Sequence, residues 1–571
     1  MNKRLILDIG QYSDAGNKAV NQDFHGTLTP TEPQLSSKGI AIAIADGISS
    51  SAVSQIASET AISGFLTDYY CTSDAWSVKK SALKVLQATN AWLHSQTRNS
   101  PYRFHKDKGY ICTFSALIIK GQQAHIFHTG DSRIYRMTDI EQECLTTDHR
   151  HYVDAENSYL TKALGVHASL DLDYDTCNVS IDDYFILATD GVYEFVSSGE
   201  IHETIKNHSH DLNKAAKIIV DKALLQGSND NLTIQLIKIK DLPEHKIREF
   251  KQNIEQLSTP PILHTRDMFD GYKILRDLHI GSRSHVYLAL DQTNNKRVVL
   301  KVPSTEQKEN SAYLESFLME SWVAKRLNNA HIVKAFQQQY TPRYIYTCME
   351  YIEGCTLKQW MYDHPKPTLE QVRDIISQVG TGLRALHRQE MVHQDLRPNN
   401  IMIDQYGVVK IIDLGTVKVA GISEISDINH GLMGTMAYTA PEYFLGELGT
   451  TRSDIYSLGV ITYEMLSGHL PYGNKVHKAT TLRSQRALTY RSMHNDHSVV
   501  SPWIDDAIAK ALHPDPVKRY NEVTEFIFDL NQPSEHYKRK HKPPLIDKDP
   551  ILFWQLVALL LTGVIIAQWL N

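Results

Sequence analysis

Through the first 240 residues, two kinds of apolar pattern alternate. GIAIAIAD (39–46), QAHIFHTGD (123–131) and DYFILATD (183–190) are short β-rich runs, and each stops at an aspartate. NLTIQLIKIK (231–240) alternates apolar and polar residues, the period-2 pattern of a half-buried strand. Between these runs, SQIASETAISGFLTDYY (54–70) and KKSALKVLQATNAWLHSQ (79–96) carry helical spacing. Residues 241–268 are charged and then Pro-interrupted (STPPIL), which predicts a linker. Residues 269–533 open with strand-like runs and continue with long helical ones, predicting a small sheet-rich lobe before a larger helical lobe. Residues 534–550 are polar and basic and predict an extended segment.

The last run, ILFWQLVALLLTGVIIAQWL (551–570), carries no charge. At about 1.5 Å per residue it matches a hydrocarbon core of roughly 30 Å. Trp554 and Trp569 lie near its ends, and Lys538, Arg539, Lys540 and Lys542 precede it. The expectation is one C-terminal transmembrane helix: a single-pass anchor in the cytoplasmic membrane, with the catalytic domains in the cytoplasm. A buried helix would show a polar stripe, which Gln555 and Gln568 do not make.

A chain of 571 residues is too long for one ordinary domain. The formal net charge of -6 leaves no whole-chain basic field, so nucleic acid is not an expected partner. Cys71, Cys112, Cys144, Cys177, Cys348 and Cys355 show no C-x-x-C spacing. That argues against a disulfide framework or a structural zinc site and for a reducing compartment. The N-terminus does not read as a secretory signal.

The strand-ending aspartates carry the first chemistry. Carboxylates gathered at one edge repel each other, and a hard divalent cation relieves that repulsion. Oxygen-only ligation suits Mg²⁺ or Mn²⁺ over Zn²⁺, and two such ions can activate water for in-line displacement at phosphorus. Singly, each Asp-Gly is a common turn. In order, SDAGNKAVNQD, ADG, TGDSR, ATDG and SNDN resemble the type-2C, metal-dependent protein phosphatase family over about 240 residues. The resemblance implies a β-sandwich flanked by helices and two or three Mg²⁺ or Mn²⁺ ions at one edge. Asp46, the Gly47 carbonyl, Asp190 and Asp230 fall on metal-ligand positions. Asp23 falls on the acidic position that orients metal-bound water, and Asp131 on that of a further, weaker metal. Two departures stand out. Lys18 replaces the usual phosphate-clamping Arg, keeping charge but losing the bidentate fork. Ile48 to Ser51 replace a stretch in which relatives often carry further Gly and a His.

The second half supplies what phosphoryl transfer needs. Lys301 ends the strand-like VVLK, and Glu320 lies on the predicted helix FLMESWVAKRL, placed to pair with it. Val392 to Asn400 (VHQDLRPNN) match H-R-D-L-K-P-x-N with two changes, Asp413-Leu414-Gly415 matches D-F-G, and Ala440-Pro441-Glu442 matches A-P-E. This ordered series resembles the eukaryotic-like Ser/Thr protein kinase family over about 260 residues. The resemblance implies a bilobal fold that uses ATP and Mg²⁺. Asp395 stands at the base, Asn400 and Asp413 at the Mg²⁺ ligands, and Lys301 and Arg397 beside the transferring phosphate. Glu350 to Ile352 form the adenine hinge with Met349 behind it, Gly281 and Val286 belong to the nucleotide-covering loop, and Glu442 with Arg519 forms a structural ion pair. The glycine-rich loop is degraded: HIGSRSHVYLA keeps only Gly281, with His279 and Ser284 at the other glycine positions.

Together the halves resemble bacterial bifunctional Ser/Thr kinase/phosphatase proteins. The expected architecture is multidomain α+β: a phosphatase domain over 1–240, a linker over 241–268, a kinase domain over 269–533, a basic juxtamembrane segment over 534–550 and the span over 551–570. The expected partners are protein substrates bearing Ser/Thr or phospho-Ser/Thr, the chain itself among them, and the membrane. The competing reading is an anchored phosphatase carrying a nucleotide-binding pseudokinase scaffold, argued from the degraded loop. Gln394 replaces the Arg of H-R-D and cannot ion-pair with a phosphorylated activation loop. Replacing Ser423 and Ser426 with Ala is therefore expected to leave kinase activity intact, and its loss would refute that independence.

Overall fold

The computed structural model describes residues 4–138, 142–152, 158–243, 259–308, 310–336, 342–422, 436–493, 500–534, 537 and 550–570. Its first half is built on strands β1 (Ile6–Asp14), β2 (Phe24–Leu28), β3 (Ile40–Ala45), β4 (Phe114–Lys120), β5 (Gln123–Thr129), β6 (Arg133–Met137), β7 (Gln142–Cys144), β8 (Arg150–Tyr152), β9 (Ser158–Leu160), β10 (Asp173–Asn178), β11 (Tyr184–Ala188) and β12 (Leu232–Asp241). Two antiparallel five-stranded sheets form, in the orders β1-β12-β11-β6-β7 and β10-β5-β4-β3-β2. Ile40, Ile42, Ile44, Leu117 and Ile119 of one sheet share a core with Ile134, Phe185, Leu187, Ile237 and Ile239 of the other. Helices α1 (Ser54–Cys71) and α2 (Val78–Arg98) cover the β2–β3 side. Helices α3 (Ser198–Asn207) and α4 (Leu212–Leu225) cover the β1–β12 side.

The alternation in β12 predicts a strand with one wet face. The strand is instead central in its sheet, between β1 and β11, and buried on both faces over most of its length. Leu232, Ile234 and Leu236 pack under α4, while Ile237 and Ile239 enter the inter-sheet core. The polar residues on that inner face, Thr233 and Gln235, are fully buried and spend their hydrogen bonds inside the sandwich.

The second half opens with β13 (Met268–Phe269), β14 (Tyr272–Ile280), β15 (Ser284–Asp291), β16 (Arg297–Pro303), β17 (Ala335–Phe336) and β18 (Thr347–Glu350). These form one antiparallel sheet ordered β13-β14-β15-β16-β18-β17. Helix α5 (Ser311–Arg326) packs beside it, started by the Asn310 side chain, which accepts from the Tyr313 amide. The larger helical part contains α6 (Leu369–Arg388), α7 (Thr451–Ser467), α8 (Pro502–Ala511) and α9 (Val523–Asn531). Helix α7 runs from a Thr450 capping box to Gly468 at φ 72°, a left-handed stop that glycine adopts without strain.

The described residues fall into two compact units. One is drawn from 1–354, 385–393 and 404–430, the other from 355–384, 394–403 and 431–571. The first therefore holds the sandwich together with the six-stranded sheet and α5. The second holds most of the large helical part.

The expectation of a C-terminal transmembrane helix requires correction. A helix does form, α10 (Pro550–Leu570). Among the described residues, however, no helix is long and apolar enough to cross a membrane. The single-pass anchor, and the membrane location drawn from it, fall with that helix. The basic stretch Lys538–Lys542 and most of the 241–268 linker lie outside the described residues.

Inside the second unit, Arg519 donates to both carboxylate oxygens of Glu442, at 2.8 and 2.7 Å, with both side chains nearly sealed from solvent. Removing one partner of such a pair strands the other charge. Arg519→Leu is expected to destabilise the second unit by about 3–5 kcal/mol, read as a lower denaturant midpoint of that unit's transition.

Candidate active sites

Strand ends deliver the first site. Asp46 follows β3, Asp131 sits in the turn between β5 and β6, Asp190 follows β11, Asp230 precedes β12 and Asp23 precedes β2. Burial, followed by repulsion from Asp23, Asp190, Asp131 and Asp230, pushes Asp46 well above the usual carboxylate range. Asp46 therefore lies within electrostatic reach of the other four aspartates singled out in the sequence. Burial pushes Asp23 up to about 6, against the hydrogen bonds that stabilise its charge. Burial and Asp190 push Asp131 up to about 7, although Arg150 stands beside it.

Gly47 is bound to its place by its amide, which donates to the Gln22 carbonyl at 3.1 Å. A Cβ there would lie 2.8 Å from that same oxygen, so no larger residue fits without a shift. Lys18 ion-pairs with Asp230 and donates to Ser49 Oγ at 2.7 Å.

The donor set suits a hard divalent cation. All the gathered side-chain ligands are oxygens, and two buried carboxylate oxygens, Asp23 Oδ1 and Asp190 Oδ1, have no hydrogen-bond partner. Among the described residues no three of these groups stand in ready ligand geometry. Two cations stand among them, Lys18 on Asp230 and Arg150 on Asp131 (2.5 Å) and Asp190 (2.7 Å).

The first unit also holds a second constellation. Lys301, in β16, places Nζ 2.7 Å from both Glu320 oxygens and 3.3 Å from Asp413 Oδ1. Burial opposes charge on Lys301, but Asp413 and Glu320 outweigh it and hold the ammonium protonated. Lys301 in turn holds Asp413 down at about 2, helped by the Gly415 amide. Val286 is the register partner of Lys301 across β15 and β16. Met349 and Ile352 are buried, and Glu350 is taken up by Lys410 at 2.7 and 2.9 Å. A Cβ built on Gly281 would meet His279 Nε2 at 2.9 Å, so the imidazole lies against the loop's remaining glycine.

In the second unit, Asn400 Nδ2 donates to the Asp395 carbonyl at 2.9 Å and to its Oδ2 at 3.1 Å, and Arg397 Nε lies 3.5 Å from that Oδ2. Gln394 adopts φ 69° while its amide donates to Asp454 Oδ1 at 3.0 Å. That strained backbone fixes the residue preceding Asp395. Ser423 and Ser426 lie outside the described residues.

Sequence reasoning missed three contributors. Arg150 sits about a third of the way in sequence from Asp131 to Asp190, in a segment with no motif, and only folding brings it to both. Thr189 and Thr233 donate to Asp23 Oδ2 at 2.9 and 2.7 Å. Their signal was available, since Thr189 immediately precedes Asp190 and Thr233 is a polar residue inside an apolar strand.

Both halves match known families. Residues 11–225 match the family described as Protein phosphatase 2C, and residues 272–528 match Protein kinase domain. The serine/threonine-protein kinase PrkC of Bacillus subtilis is 29% identical over 282 residues, 49% of this chain and 43% of PrkC. The serine/threonine-protein kinase PknL of Mycobacterium tuberculosis is 31% identical over 271 residues, 46% of this chain and 66% of PknL. The match thus spans less than half of PrkC's length. The solved catalytic domain of the serine/threonine phosphatase PstP in complex with 2 manganese ions aligns at 22% identity and a TM-score of 0.35, over 42% of this chain and all of that one.

Thr233→Val keeps the shape of the strand and deletes one donor that orients Asp23. Loss of such an outer contact is expected to weaken Mn²⁺ binding about 10–100-fold, measured by calorimetric titration of the full chain. An unchanged affinity would remove Asp23 from the metal centre.

Proposed function

We propose that this chain, a protein phosphatase 2C domain followed by a protein kinase domain, both adds phosphate to protein Ser/Thr and removes it. The observation that carries the kinase half is the buried Lys301 ammonium shared between Glu320 and Asp413. Held there, Lys301 is positioned to neutralise the α- and β-phosphates of ATP. Asp413 in the first unit and Asn400 in the second are each candidate Mg²⁺ ligands, and Asp395, braced by Asn400, orients the acceptor hydroxyl and takes its proton. Arg397 stabilises charge on the transferring phosphoryl group. Gly281 and Val286 cover the nucleotide, and Met349, Glu350 and Ile352 line the adenine side.

For the phosphatase half, Asp46, the Gly47 carbonyl, Asp190 and Asp230 would hold two Mg²⁺ or Mn²⁺ ions, with Asp131 serving a third. When bound, the ions acidify a water and neutralise the phosphate oxygens. Asp23, oriented by Thr189 and Thr233, accepts a hydrogen bond from that water, and Lys18 attracts the phosphate as a point charge. Mn²⁺ is bound by PstP, whose catalytic domain this half resembles. The substrates are proteins, and the chain's own kinase half is a candidate among them.

One observation favours the scaffold reading, in which nucleotide binds without transfer. The His279 imidazole lies against Gly281, where backbone amides would otherwise approach phosphate.

The full chain is incubated with γ-labelled ATP and Mg²⁺, alongside Asp46→Asn and Asp395→Asn. Label is expected to accumulate in Asp46→Asn, to stay low in the parent and to be absent in Asp395→Asn. No label in any of the three, with a generic protein acceptor present, would refute the kinase half and favour the scaffold.

A further inference from the structure

Helix α5 has two working faces. At 3.6 residues per turn, Trp322, Glu315 and Arg326 point about 200°, 220° and 240° round the helix from Glu320, whereas Ser316 lies about 40° away. The near face serves the kinase: Glu320 binds Lys301, and Ser316 Oγ donates to the Gly415 carbonyl at 2.9 Å. The far face meets the phosphatase domain, all within the first unit. Trp322 is fully buried, and its Nε1 donates to the Asp68 carbonyl at 3.3 Å. Arg326 Nε lies 2.5 Å from Asp68 Oδ2, and each side chain is only 9% exposed. Lys80 Nζ reaches Glu315 Oε2 at 2.5 Å, with Lys84 3.8 Å from the other oxygen.

Helix α2 of the phosphatase domain also touches the segments on either side of the Asp413 loop. Trp92 Nε1 donates to the Arg388 carbonyl at 3.1 Å, and Ser95 Oγ to Glu390 at 2.8 Å. Gly421 runs so close to α2 that a Cβ there would sit 2.6 Å from the Gln87 carbonyl.

We infer that the phosphatase domain is a built-in positioning element for the kinase: Asp68 of α1 and Lys80 of α2 hold α5 so that Glu320 stays on Lys301. The physical ground is the stiffness of a helix. An element gripped on one face by a buried tryptophan and a desolvated ion pair cannot swing its other face away from Lys301 without breaking them. A kinase needs its lysine–glutamate pair closed for transfer, and the position of this helix decides that closure. Asp68 and Lys80 touch no nucleotide, so they act through Glu320. The inference rests on reading residues 272–528 as an ATP-binding kinase domain.

The test uses the full chain, with Asp46→Asn throughout so that product is not erased. It compares the parent with Asp68→Asn, Lys80→Glu, the swapped pair Lys80→Glu/Glu315→Lys, Glu320→Gln, and Asp68→Asn/Glu320→Gln. Two quantities are read: affinity for a fluorescent ATP analogue with Mg²⁺, and transfer of γ-phosphate to a generic protein acceptor. Asp68→Asn is expected to reduce transfer about tenfold or more, within the roughly 5–150-fold span of such couplings, and to weaken nucleotide binding. Lys80→Glu, a surface change that does not threaten folding, gives a smaller loss that the swapped pair restores. Adding Asp68→Asn to Glu320→Gln costs nothing further. In chains with Asp46 intact, hydrolysis of p-nitrophenyl phosphate stays within about twofold, as for distant independent sites. Nucleotide affinity and transfer unchanged in both Asp68→Asn and Lys80→Glu would overturn the proposal, as would losses that simply multiply with Glu320→Gln. A parent that binds the analogue but transfers nothing sinks the kinase reading alone, and the affinities then decide the coupling by the same comparison.

Discussion

A charge withdrawn from water must be met by an opposite one or by several hydrogen bonds, and this chain withdraws many. At the edge of the sandwich, five aspartates are brought so close that Asp46 resists ionisation. Lys18 and Arg150 meet part of that demand, yet two buried carboxylate oxygens have no partner. The imbalance leaves the edge rich in unanswered negative charge: the sandwich core is the rigid frame that keeps the carboxylates together despite their repulsion.

The kinase half meets the same constraint differently. Lys301 stays protonated in a buried place because Glu320 and Asp413 flank it. The arrangement depends on α5, since Glu320 reaches β16 only while that helix lies alongside the sheet. The other face of α5 is committed to Asp68 and Lys80, so the two domains share a mechanical element as well as a chain. Whatever loosens the helix pair that grips α5 would be felt at Lys301.

Much of the site was legible in the sequence, because strand ends are local. A run such as GIAIAIAD is apolar until it must leave the core, and a carboxylate placed at that exit is forced to the sheet edge. The pairing of Lys301 with Glu320 was legible as a strand-ending lysine and a helical glutamate, and that of Glu442 with Arg519 through the family resemblance. The dryness of β12 was not. Alternation reports two chemically different faces, and Thr233 and Gln235 belong to a polar network between the sheets, whose burial no local pattern encodes. The apolar run at the C-terminus was over-read, since composition alone suggested a span, whereas among the described residues no helix is long and apolar enough to cross a membrane.

By itself, then, the sequence determined which residue types stand at the exits of strands and helices, and with them the two chemistries, because those depend on local periodicity and on the order of motifs. Only the tertiary structure decided which distant groups answer their charges. Arg150 beside Asp131 and Asp190, Thr189 and Thr233 on Asp23, and Asp68 beneath Arg326 are long-range meetings. They are settled by how sheets and helices stack, and the free energy that selects them is the cost of leaving a buried charge or donor unpaired.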